Sequence, residues 1–222
     1  MPFIMPALLF AGLILTTPAQ ADSTLLNKYD CTSCHRLTND EPKESFKAPD
    51  LFYAGNKFQK SWLEKFLQNP VIIRKAGTIT DPGFLRGTPT LARPHPSLPP
   101  EEALEMTEFL MSLSLPELAT DQVDDTPLSK GKKSKIKILF ERNYGCIACH
   151  EGINLAGQPR GGISGPSLAN AGNRLTAGWV YNWLKTPENF LARGRMPAYK
   201  FDDATAAHLT KYIMSLKIGD WN

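Results

Sequence analysis

The pattern Cys-x-x-Cys-His occurs twice in this 222-residue chain, at Cys31-Thr-Ser-Cys34-His35 and at Cys146-Ile-Ala-Cys149-His150, and it uses all four cysteines. Whatever the chain folds around, these two pentapeptides must be accommodated. Disulfides are the ordinary fate of paired cysteines in an exported protein. A zinc site would need four ligands gathered from motifs 115 residues apart, or from the two other histidines, which stand in different surroundings. A thioredoxin-like dithiol would need flanking strands and helices that the sequence does not show.

Covalent haem attachment has a direct physical reason for the spacing. Two cysteines on one helical turn reach the two vinyl groups of one porphyrin, and the histidine that follows turns its imidazole toward the iron. The flanks of the two copies also match. Residues 48 to 70 align without a gap against 165 to 187, with eight of 23 positions identical, among them Pro49/Pro166, Leu51/Leu168, Gly55/Gly172, Asn56/Asn173 and Trp62/Trp179. Further on, Ala103, Met106, Leu110 and Leu113 repeat as Ala206, Leu209, Ile213 and Leu216, each set forming one apolar stripe at helical spacing. Ahead of the second motif, Ile136, Leu139 and Phe140 mark another helix.

The repeat divides the chain. Residues 22–115 form a first domain and 128–222 a second, joined by a polar linker over 116–127 that contains Pro116 and Pro127 and has no apolar period. Residues 1–21 lack ionisable side chains, hold an apolar run from Ala7 to Leu15, and end in Ala19-Gln20-Ala21, a small-x-small cleavage site. They read as a signal peptide, with an uncleaved membrane anchor as the alternative. Either way the remainder is exported, to the periplasm, with membrane association available through the amino terminus. The balance of 25 basic and 22 acidic side chains gives no support to nucleic-acid binding.

With these residues in view, the chain resembles a class I cytochrome c written twice, a di-haem cytochrome c. The resemblance rests on Cys31, Cys34, His35, Cys146, Cys149 and His150, on the Pro-x-Leu pairs downstream, and on the last helix of each domain. It implies an all-α fold, each domain wrapped round one covalently attached haem c, with the domain's first and last helices packed together. It also implies that the carbonyls of Pro49 and Pro166 accept a hydrogen bond from the proximal histidines, a contact that orients the ring. In that family the distal methionine lies between the tryptophan helix and the last helix, where this chain has Arg195-Met196-Pro197. Met196 is therefore the expected sixth ligand of the second iron. Met111 and Met214 share one repeat position and are explained by packing.

The first domain has no methionine in the corresponding loop. It has Arg93-Pro94-His95-Pro96, which makes His95 the candidate sixth ligand of the first iron, opposite His35, or else a surface histidine beside an otherwise ligated iron. His208 aligns with Glu105 and reads as part of a solvated helix face. The distal loop of the first domain has 24 residues between Pro70 and His95, against eight between Pro187 and Met196. The extra length either covers the haem, docks a partner, or is a surface insertion. Arg174, Lys185, Arg193, Arg195 and Lys200 cluster in sequence around the second distal loop, where they either steer an acidic partner, pair with haem propionates, or form a solvated face.

The expected function is single-electron transfer without a bound substrate. Electrons would pass from a lower-potential His/His haem in the first domain to a higher-potential His/Met haem in the second, since a methionine ligand raises the potential. The partners would be electron donor and acceptor proteins, for example a membrane respiratory complex or a periplasmic dehydrogenase. The chain would not itself be an enzyme. It could instead serve as the cytochrome subunit of a dehydrogenase or oxidase complex. A small di-haem peroxidase is the reading from the enzyme class, and a gas sensor follows if the first iron is five-coordinate.

Overall fold

A computed structural model describes residues 23–40, 48–76, 95–118, 122–191 and 194–218. The expected signal segment, most of the long first distal loop and Arg193 lie outside the described residues.

Nine helices are described: α1 (Ser23–Lys28), α2 (Ala54–Lys57), α3 (Lys60–Gln68), α4 (Pro100–Ser112), α5 (Lys130–Ile138), α6 (Ala171–Arg174), α7 (Ala177–Lys185), α8 (Pro187–Phe190) and α9 (Asp203–Met214). Among the described residues none of these is long and apolar enough to cross a membrane. The sequence supplies the ends. Pro100 opens α4, with Glu101 and Glu102 in its first turn, where acidic groups oppose the helix dipole. Ser129, Thr176 and Asp202 cap α5, α7 and α9 through side-chain oxygens. The predicted stripes are buried: Ala103, Met106 and Leu110 on α4, and Ala206, Leu209 and Ile213 on α9. α5 runs into a π-helical turn, Leu139–Asn143, that buries Phe140 just before the second motif.

One element departs from an all-helical expectation. Glu151–Ile153 (β1) pairs antiparallel with Pro159–Gly161 (β2). The turn between them has a local cause: Asn154 Oδ1 accepts from the amides of Ala156 and Gln158, each at 2.9 Å, and Gly157 takes a positive φ of 74°. The described part of the linker is anchored to the second half. Leu118 is buried, its carbonyl accepts from Asn182 Nδ2 at 3.1 Å, and Asp124 pairs with Lys211 on α9 at 2.7 Å.

The helices fall into two groups. In the amino-terminal half α2 and α3 pack on α4; in the carboxy-terminal half α9 packs on α5, α6 and α7. Lys28 and Tyr29, at and just past the end of α1, reach Glu102 on α4. The glycine and asparagine shared by both halves have a steric and polar reason. The amide of Gly55 donates to Leu113 O at 2.8 Å and that of Gly172 to Leu216 O at 2.9 Å, so close that a Cβ would overlap the carbonyl of Met111 or Met214. Asn56 exchanges hydrogen bonds with the backbone of Leu115.

The two halves meet through equivalent residues. Phe58 forms an antiparallel bridge with Leu175, its own counterpart in the repeat. Gln59 N donates to Arg174 O and Thr176 N to Lys57 O, both at 3.0 Å, and these two bonds exchange when the halves are exchanged. An approximate two-fold axis therefore passes through the Phe58–Leu175 bridge, the arrangement of an isologous contact. Tyr53 and Trp179 pack across it with ring centroids 4.6 Å apart.

Candidate functional site

Both Cys-x-x-Cys-His segments adopt the same local structure. A residue in the left-handed region, Asp30 (φ 51°) or Gly145 (φ 61°), opens a short 3₁₀ turn over Cys31–Ser33 or Cys146–Ala148. The histidine amide then bonds back to the first cysteine carbonyl, at 2.9 Å for His35 and 3.0 Å for His150. The four cysteines form no disulfide. Burial pushes the Cys146 thiol up to about 11 and also raises Cys31. That is the reverse of the lowered pKa that marks a dithiol oxidoreductase. Among the described residues no group of three or more His, Cys, Asp or Glu side chains is gathered as a metal site would require.

Each histidine is oriented by the expected proline. His35 Nδ1 lies 2.6 Å from Pro49 O and His150 Nδ1 2.8 Å from Pro166 O. A carbonyl can only accept, so Nδ1 carries the proton and Nε2 keeps its lone pair. Burial lowers the pKa of both rings, that of His35 to about 4, which keeps them neutral. Gly165 lies flat on the His150 ring; a Cβ there would sit 2.6 Å from Nδ1.

Of the residues proposed as distal ligands, the structure brings His95 to His35, with ring centroids 6.0 Å apart and planes inclined by 56°. His95 Nδ1 donates to Pro96 O at 2.8 Å, which again leaves Nε2 with its lone pair. Met196 is half-buried and accepts a hydrogen bond on Sδ from the indole Nε1 of Trp183 at 2.9 Å. Trp183 and Phe66 occupy the same repeat position, and Phe66 packs on His95 at 5.4 Å. One helix position thus supports the distal candidate in each half. Met111 and Met214 pack against the core.

The staple between motif and proline loop went unnoticed in the sequence. Arg36, directly after His35, forms a buried two-pronged ion pair with Asp50, directly after Pro49, with Nε 2.8 Å from Oδ1. The amide of Leu51 also donates to Arg36 O at 2.9 Å, as that of Leu168 does to Glu151 O at 2.8 Å. The available signal was a charged residue beside each partner of the His–Pro contact, with opposite signs.

The basic residues around the second distal loop do not form one surface patch. Arg174 is buried and bonds Ser167 O at 2.6 Å, and Lys185 is engaged with Asp203 at 2.7 Å and Phe201 O at 2.8 Å. Lys200 is exposed and Arg195 half-buried. Lys57, the repeat counterpart of Arg174, lies over the Tyr53, Phe58 and Trp179 rings. Burial and the nearby Arg174 lower its pKa to about 7. Among the described residues neither Lys57 nor Arg174 is ion-paired.

Residues 134–217 match the family model for cytochrome c, a segment that includes Cys146, Cys149, His150, Pro166 and Met196. Over that segment the chain is similar to the cytochrome c family, whose members hold haem c covalently and transfer electrons. No curated protein and no solved structure matched the chain.

Proposed function

We propose that the chain is an exported di-haem c-type cytochrome that passes single electrons between redox partner proteins. The division is that of the repeat: 22–115 around one haem and 128–222 around a second, after a signal peptide over 1–21. Cys31, Cys34 and His35 would hold the first haem, with His95 as its distal ligand. Cys146, Cys149, His150 and Met196 would hold the second.

The observation that carries this reading is the identical construction of the two motifs, each ending in a neutral histidine whose Nδ1–H is fixed by a proline carbonyl. The residues present fit the group. His35 and His95, with ring centroids 6.0 Å apart and a lone pair on Nε2 of each, are the imidazoles that would hold the first iron. The thioether of Met196 is a soft donor. Lys57, half-buried, and Arg174, buried, are cations at equivalent positions without a carboxylate partner among the described residues, suited to the acid side chains of a porphyrin.

When bound, haem supplies an iron that changes between ferric and ferrous without substrate at the metal. The chain supplies the rest. Pro49 and Pro166 fix the tautomer and direction of the proximal rings. Trp183 holds Met196, and Phe66 holds His95. With His95 and Met196 as distal donors, the first haem would be lower in potential than the second, and the amino-terminal half would pass electrons to the carboxy-terminal half.

A haemochrome assay with a spectroscopically monitored redox titration tests this. Two haems per chain are expected, with methionine–iron character in only one, lost in Met196→Ala. The lower midpoint should belong to the haem perturbed by His95→Ala. One haem per chain, or a higher potential for the first haem, would contradict the proposal. Amino-terminal sequencing of the mature protein should begin at Asp22.

A further inference from the structure

The two halves staple their proximal loops differently. In the first half the link is internal: Arg36 after the histidine pairs with Asp50 after the proline. In the second half the corresponding residues are Glu151 and Ser167, which cannot form that ion pair. Glu151 is nevertheless only 8% exposed and carries charge potential that burial would penalise without a partner.

The partner comes from the other half. Residues 73–76, which follow α3 in the first half, lie along the proximal loop of the second. Lys75 Nζ reaches Glu151 Oε1 at 2.6 Å. Arg74 donates to Ser164 O from Nε at 3.0 Å and from Nη2 at 2.7 Å. The carbonyl of Ile73 accepts from the amide of Ser167 at 2.7 Å, and Ala76 N donates to Ile163 O at 3.3 Å, leaving Ala76 buried. These contacts bracket Gly165 and Pro166, both of which lie against the His150 ring. Arg174 grips the same loop from within its own half, through Ser167 O.

We infer that the segment 73–76 is a positioning strap for His150: the first half supplies in trans, through Arg74 and Lys75, the staple that it makes for itself in cis with Arg36 and Asp50. This inference rests on His150 being the proximal ligand of a second haem. Its consequence is directional. The second haem's potential is governed partly by residues of the first half. Removal of either positive charge beside that site favours the ferric state and lowers the second potential.

The test uses the full-length holoprotein with Arg74→Gln and, separately, Lys75→Gln, a half-exposed residue whose loss the fold should tolerate. Two readouts are taken: the midpoint potential of each haem, and amide hydrogen exchange at Gly165, whose N–H bonds Cys149 O, and at Ser167. The expected result is a downward shift confined to the second haem in both variants, with at least tenfold faster exchange at those amides in Arg74→Gln. The exposed Arg142→Gln should change neither. Unchanged potential and exchange in both variants, or an equal shift of both haems, would overturn the strap. Failure of the underlying reading is seen separately, in the wild-type protein, as the absence of haem on Cys146 and Cys149.

Discussion

Asp50→Asn probes the internal staple of the first half. The substitution keeps volume and one acceptor but removes the charge facing Arg36, and both side chains are withdrawn from water, at 9% and 3% exposure. Breaking one partner of a buried ion pair costs about 3–5 kcal/mol, because the other charge stays desolvated. Retention of the Nε contact to a neutral Oδ1 places Asp50→Asn near the lower end, at about 3 kcal/mol. For a chain of this length each kcal/mol moves the melting temperature by about 2–4 °C, so a fall of roughly 6–12 °C is expected. Thermal unfolding followed by far-ultraviolet circular dichroism reads it directly. The double variant Arg36→Met/Asp50→Leu removes both charges and should recover most of the loss, since apolar replacement of a buried pair is often neutral. The loop that weakens carries Pro49, so the His35 ring loses its fixed orientation while that of His150 keeps its own. A loss below about 1 kcal/mol, or a double variant no better than the single, would refute the reasoning.

Other outcomes follow from single contacts. Trp183→Phe removes the indole N–H from Met196 Sδ; a bond worth up to about 1 kcal/mol between oxidation states corresponds to roughly 40 mV, and, on the proposed ligation by Met196, the potential of that haem should fall by up to that amount in a redox titration. Gly172→Ala forces a Cβ into the Met214 carbonyl and should cost about 1–3 kcal/mol in denaturant unfolding, whereas Gly131→Ala, in open space on α5, should add about 0.4–1 kcal/mol. Gly145→Ala meets no atom and should cost about 1–2 kcal/mol through its left-handed backbone alone. The Tyr212 phenol is pushed up to about 12 by burial and by Glu141, from 10.0 in the unfolded chain. Between those values the unfolded chain has released the proton and the folded one has not, so its contribution is intact below pH 10 and is lost as pH rises toward 12. Tyr212→Phe should flatten that part of the alkaline stability profile.

The local features were legible in the sequence because each depends on neighbours along the chain. The haem-attachment spacing, the apolar stripes of α4 and α9, and Pro100 and Asp202 at helix starts are of this kind. The hairpin at β1 and β2 could have been read from Asn154 and Gly157, and was obscured by the helical character of the repeat around it. The His–Pro contacts were expected from resemblance to a motif that carries its own spacing, and both are present.

Other features were decided only in three dimensions, because they join residues distant in sequence whose types carry no mutual signal. The Phe58–Leu175 bridge exists because two similar halves offer each other the same surface. Arg174 looks like an ordinary basic residue until packing buries it, and Lys57 until packing sets it over the Tyr53, Phe58 and Trp179 rings. Trp183 is one of several aromatic core residues until its indole reaches Met196. The polar residues Arg74 and Lys75 resemble the start of a surface insertion; packing of the halves turns them toward Ser164 and Glu151. The spacing of residues along the chain set the two Cys-x-x-Cys-His turns and the helices around them. The tertiary structure decided that the halves are interdependent: among the described residues, the ion-pair partner of buried Glu151, beside His150, is Lys75 of the first half.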